Sequence, residues 1–447
     1  MKEKQVELWD EKLPITQLIP FGIQHVLAMY AGALAVPLIV GKAIGLSQAD
    51  IAFLIAADLF TCGIATLIQT LGIGKSIGTK LPALMGCSFV SVGPMIVIGN
   101  QYGITAIYGA VITAGAILFL CAGLFGKLVK FFPPVVTGTV ITTVGLSLMP
   151  TAINNSAGGL NTPGYGDPKN LILAGITLIV VIIVNRFLTG FLQAISVLIG
   201  LIVGTILAGF MGMLDFSSVS EATWFGFIKP FHFGLPEFKP EAILSMTLVS
   251  LVVAIEAIGV FLGLGEICNK EVTEKHIGSG IRGEGLAQVL GGIFNSFPYA
   301  TFSQNVGLVA LSGVKTRWVC VTSGVILVVL GLIPKFAALG TAIPMSVLGG
   351  ATLAMFGMVA VSGVKILKTV DLTKPGNMLI IAISIGVGLG FKNSPAALAQ
   401  TPTIVKLLLE DGIVAASLLS LTLNVIFNYG DIKAGKKVDV HADDSVF

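Results

Sequence analysis

Four ionisable side chains lie inside stretches that are otherwise apolar: Glu256 in VVAIEAIGV, Glu284 in RGEGLAQ, His25 in GIQHVLAMY and Asp58 in LIAADLFTCG. A charge at the centre of a membrane helix costs roughly 2.5–3.5 kcal/mol, so each such residue needs a partner or a task. Glu256 has no basic residue within a turn or two of helix. It is therefore free to hold a proton or to accept a hydrogen bond from a ligand N–H. Glu284 follows Arg282 by two residues near the start of its apolar run, so a satisfied carboxylate near the interface competes with a role in coupling. His25 suits either proton handling or a hydrogen-bonded place in a core, and Asp58 reads as a contact between packed helices. A second polar group is TFSQNVG, residues 301–307, which sets Thr301, Ser303, Gln304 and Asn305 almost side by side. A side-chain amide offers two donors and an acceptor oxygen. Such a group suits a flat, neutral, multiply hydrogen-bonding ligand better than a bare ion; the competing reading is that Gln304 and Asn305 bind neighbouring helices together.

Other chemistry is poorly supported. The five cysteines are dispersed without a CxxC pair or metal spacing, which argues against a disulfide framework or zinc site. GVGLG at 386–390 lies inside an apolar run without the strand-turn-helix setting of a phosphate loop, and HExxH does not occur. An enzyme is not expected. A net charge of +3 over 447 residues is too small and scattered for a nucleic-acid partner.

The elements that must position these residues are membrane helices. With 55% apolar residues, 11% charged and a mean hydropathy of +0.95, the chain reads as an all-α polytopic membrane protein. At about 20 apolar residues per span, cutting at charged and Pro- or Gly-rich punctuation gives fourteen candidate spans. The third (81–99) and tenth (299–313) are short and interrupted, and extended backbone at membrane depth is expected in both. Nineteen of the 26 basic residues fall on one side of the resulting topology, which predicts both termini in the cytoplasm. Fourteen divides into seven plus seven, and an odd repeat inverts its second copy. SFVSVG at 88–93 and FSQNVG at 302–307 both end in Val-Gly. Downstream, Pro133 and Pro344 each precede a glycine, Gly138 and Gly349, by five residues. Broken segments at matching places in two halves point to a transporter's midplane site.

The string QNVGLVALSG at 304–313 resembles the signature of the nucleobase-ascorbate transporter family, with Ser312 where a threonine is usual. The resemblance extends through QHVLAMYAGALAVPLIVG (24–41), FFPPVVTG (131–138), GGIFNSFPYATFSQNVG (291–307) and VLGGATLAMFGMV (347–359), and is strongest to bacterial xanthine and urate permeases. It implies fourteen helices in a seven-plus-seven inverted repeat. The core domain is formed by residues 1–128 and 240–336, the gate domain by 129–239 and 337–430, with a cytoplasmic tail at 431–447. It implies substrate contacts from Glu256, Gln304 and Asn305, an aromatic contact from Phe89, a backbone contact from Ser303, and support for affinity and proton coupling from Glu284 and His25. Glu284 stands where many purine carriers have aspartate. The expected activity is proton-coupled uptake of an oxidised purine, xanthine or urate, across the cell membrane by a homodimer, with no metal and no cofactor beyond the co-transported proton. The alternatives are uracil or another nucleobase as substrate, or an anion exchanger or channel of the same fold.

Overall fold

The computed structural model describes residues 7–128, 131–160 and 162–433. The first half runs through α1 (Ile15–Ala43), α2 (Gln48–Leu71), β1 (Met85–Cys87), α3 (Val92–Tyr102), α4 (Ile104–Leu128), α5 (Pro134–Ser156), α6 (Pro168–Phe187), α7 (Phe191–Ala194) and α8 (Ser196–Phe210). After α9 (Ser217–Glu221), the second half runs through α10 (Pro240–Ile267), α11 (Glu274–Ile293), β2 (Tyr299–Thr301), α12 (Gln304–Ser312), α13 (Arg317–Gly331), α14 (Pro334–Thr341), α15 (Met345–Leu367), α16 (Pro375–Asn393), α17 (Thr403–Glu410) and α18 (Gly412–Lys433). The helix starts are written locally. Ser47 and Asp167 accept main-chain amides at the heads of α2 and α6, and proline occupies the first turn of α6, α10 and α16, where its missing N–H costs nothing.

Among the described residues, nine helices are long and apolar enough to cross a membrane: α1, α2, α4, α5, α6, α10, α15, α16 and α18. The other five expected spans are built differently. α8 has only 15 residues, and α13 and α14 form one path bent by 82°. α11 is long enough at 20 residues but carries Lys275, His276, Arg282 and Glu284; it packs between α2 and α4, and that enclosure lets a polar helix lie at depth. The third and tenth spans are each half strand and half helix. β1 and β2 pair antiparallel, Met85 opposite Thr301 and Cys87 opposite Tyr299, so the backbone groups freed by unwinding satisfy one another. Phe302 N donates to Leu84 O and Ser88 N to Pro298 O, each at 2.9 Å. Both half-helices stop at a glycine with positive φ, Gly103 (89°) and Gly313 (68°), a conformation only glycine adopts cheaply.

The packing repeats as the sequence does. Between the halves, α2 packs on α13 and α11 on α4; a shift of seven spans exchanges these two pairs. β1–β2 and α5–α15 each map onto themselves, and α6–α8 maps onto α16–α18. Pro133 and Pro344 occupy the same place, as N-caps of α5 and α15.

Candidate functional site

One helix of the first half and three of the second enclose a cavity of ≈ 1150 Å³. One wall is α10 and α12, which contribute Glu256, Gly259, Ser303 and Val306; the other is α5 and α15, which contribute Thr137, Ile141, Gly357 and Met358. A smaller chamber of ≈ 50 Å³ adjoins it and shares Glu256 and Ser303. Its other walls are the two strands and the turns that leave them, including Gly86, Ser88, Phe89 and Thr301, with Val359 from α15. The Phe89 ring meets Phe356 of α15 edge-on at 5.6 Å between centroids.

Glu256 sits on the cavity wall and forms no hydrogen bond or ion pair with the described residues. An ionisable group in this position can exchange a proton with a ligand or with water in the cavity. Ser303 immediately precedes α12 and is exposed to the same space. Gln304 opens α12, and its side chain lies outside the described residues.

The remaining expected site residues face the protein interior. Asn305 is fully buried; its amide donates to Pro82 O at 2.7 Å and its oxygen meets His25 Nδ1. The pair ties α12 to α1 and to the loop before β1, so His25 reaches the site only through Asn305. Glu284 is equally buried, and its Oε1 accepts from both Thr301 N (2.9 Å) and Thr301 Oγ (2.6 Å). It holds β2 from behind. Asp58 Oδ1 accepts from Ser296 Oγ at 2.9 Å and Tyr299 Oη at 3.0 Å, fixing the other end of β2 against α2. Three of the four intramembrane ionisable residues thus fasten the broken segments, and one faces open space.

The opposite wall carries residues that the sequence does not flag. Thr137, Ile141 and Met358 look like any lipid-facing positions, because a helix wall shared with a cavity has the same apolar composition. The available signal is periodic: Leu353, Gly357, Val361 and Lys365 recur every fourth residue along α15 and all line the cavity.

Known proteins match this chain over most of its length. The sequence profile of the Permease family, Xan_ur_permease, covers residues 16–397. The uric acid permease PucJ of Bacillus subtilis (strain 168) is 50% identical over 422 residues, spanning 93% of this chain and 94% of PucJ. The xanthine permease of the same organism is 48% identical over 425 residues, spanning 95% and 96%. Among solved structures, the transmembrane domain of the cyanobacterial bicarbonate transporter BicA gives a TM-score of 0.56 at 16% identity, over 93% of this chain and 99% of that one. That likeness is one of fold, the helical inverted repeat of seven plus seven spans.

Proposed function

The chain belongs to the nucleobase-ascorbate transporter family, and from that premise we propose that it is a secondary active transporter taking up an oxidised purine, xanthine or urate or both, in symport with a proton. The observation that carries this reading is Glu256: a partnerless carboxyl on a cavity wall, beside the only place where two broken spans turn their backbones inward among the described residues. A purine presents ring N–H groups and carbonyl oxygens along its edge. Glu256 accepts from an N–H, while main-chain groups around Ser303 and Ser88 and the amide of Gln304 complement the carbonyls. Phe89 lies against the ring. A carboxyl that binds a proton and also binds the base makes each affinity depend on the other by the same factor, which is the coupling a symporter needs.

Alternating access follows from the two walls. α10 and α12 belong with the 1–128 and 240–336 core, and α5 and α15 with the 129–239 and 337–430 gate; movement of one against the other closes the cavity on one face and opens it on the opposite face. The excess of basic residues supports a cytoplasmic open face, with both termini there, and a homodimer is the expected assembly.

The test is uptake of radiolabelled xanthine and urate into right-side-out vesicles, with other purines, uracil and bicarbonate as competitors. Accumulation should be competed by oxidised purines and should vanish when the proton gradient is collapsed. Glu256→Gln should abolish accumulation with the protein still in the membrane. Accumulation that ignores the gradient, or an undiminished Glu256→Gln variant, refutes proton symport through this residue.

A further inference from the structure

Among the described residues, two ionisable side chains line the large cavity: Glu256 at its inner end and Lys365 on α15. Lys365 is exposed and forms no hydrogen bond or ion pair among the described residues. It extends the cavity stripe of α15 toward the mouth. Val359, which lines the inner chamber with Glu256, lies six residues earlier, or about 9 Å along the helix axis. A lysine serving only to orient the chain in the bilayer has no need of the cavity face, and Lys368, on the next turn, is not on it.

The purine reading adds the chemical reason. Urate is a weak acid, already ionised in mildly acidic buffer, whereas xanthine is mostly neutral there. At the inner end of the cavity the one charged side chain among the described residues is a carboxyl, whereas the mouth offers an ammonium that no described residue pairs. We propose that Lys365 is a specificity-determining residue, a staging point that draws anionic purines into the open cavity from the positively flanked face and leaves neutral ones unaffected. The proposal rests on the purine-transport reading above. A solvated charge at a rim acts mainly on the encounter rate and is screened by salt.

Inside-out vesicles expose this mouth to the medium, so the measurement is the KM for entry of urate and of xanthine in mildly acidic, low-salt buffer, for wild type, Lys365→Gln and Lys365→Arg at matched protein levels. Lys365→Gln should raise the urate KM about three- to tenfold and leave xanthine within about twofold, with Lys365→Arg close to wild type. At about 1 M salt, where the screening length falls to about 3 Å, the urate difference should disappear. In right-side-out vesicles the KM should not change, because entry there uses the other face. An unchanged urate KM, or equal changes for both bases that survive high salt, overturns the assignment. Wild-type vesicles that take up neither base overturn the purine reading itself, a result distinguishable because it appears before any substitution is made.

Discussion

Glu284 and Thr301 show how much of the site depends on residues that never face it. One carboxylate oxygen receives both the amide and the hydroxyl of Thr301, the last residue of β2 before the turn that presents Ser303. Removing the acceptor strands two buried donors, at about 1–3 kcal/mol for a buried group left unpaired. Glu284→Ala should therefore lower the unfolding temperature in detergent sharply. Glu284→Gln, which retains an acceptor oxygen, should lower it less, and Thr301→Val should cost about 1 kcal/mol. The double variant Glu284→Ala, Thr301→Val should be less destabilised than the sum of the singles, because neighbours sharing a bond couple. Additive losses would mean that the two side chains are not linked. The isolation of Glu256 was legible in the sequence, since no base stands near it along the helix. The division of labour between Ser303 and Asn305 was not, because side chains on adjoining helix positions point in different directions, at about 100° per residue. Asn305, read from the sequence as part of a ligand-facing amide pair, turns instead to Pro82 and His25.

Among the elements, the α5–α15 pair tests what the repeated Pro and Gly positions mean. The two prolines cap these helices, and the glycines five residues on lie where the helices cross. A Cβ on Gly138 would meet the Leu367 side chain at 2.8 Å and Gly363 O at 3.1 Å, and one on Gly349 would run into the main chain of Ser156. Main chain cannot rotate away as a side-chain tip can. Gly349→Ala should thus cost about 1–3 kcal/mol, read as a lower unfolding temperature, whereas Gly386→Ala on α16, where a Cβ meets nothing within 4 Å, should be neutral or stabilising by up to about 1 kcal/mol. Equal effects at the two positions would remove the close crossing as the reason for the repeat. This part of the fold was readable because capping and close approach each demand a particular residue type. The two strands were foreseen as extended backbone in interrupted spans but their pairing was not, since three residues are too few to show an alternating pattern. α11 and the bent α13–α14 path appeared in the sequence as ordinary spans. What distinguishes them is which neighbours enclose them, and that is a tertiary fact.

At the scale of the molecule, the alternating access proposed above requires a closed contact on the side away from the open cavity, and a candidate lies where α3 meets the loop between α17 and α18. Asp411 is buried there. Its Oδ1 caps α18 by accepting from Ile413 N at 3.0 Å and Val414 N at 2.9 Å, and its other oxygen occupies the space that a Cβ on Gly93 would need. Lys392 Nζ lies 4.0 Å from the same point. α3 begins at the strand crossing and runs away from the mouth, and α18 runs from Asp411 back toward it, where Asn424 donates to Phe131 O at 3.2 Å. The contact therefore joins α3 to the head of α18 on the side remote from Lys365. Gly93→Ala would force the carboxylate away and weaken this closure without touching the cavity lining. A change of about 1–2 kcal/mol between the two states shifts their ratio by about five- to thirtyfold. The state open toward Lys365 should then lose population. A cysteine introduced at Ser362, exposed on the cavity wall, reports this directly as its rate of reaction with an impermeant maleimide in inside-out vesicles, measured above the background of the native cysteines. Gly93→Ala should slow that reaction several-fold, and a saturating ligand that prefers the opposite state should slow it further. Unchanged labelling, in protein that still unfolds at the wild-type temperature, would show that Gly93 and Asp411 merely touch and do not hold the far side shut.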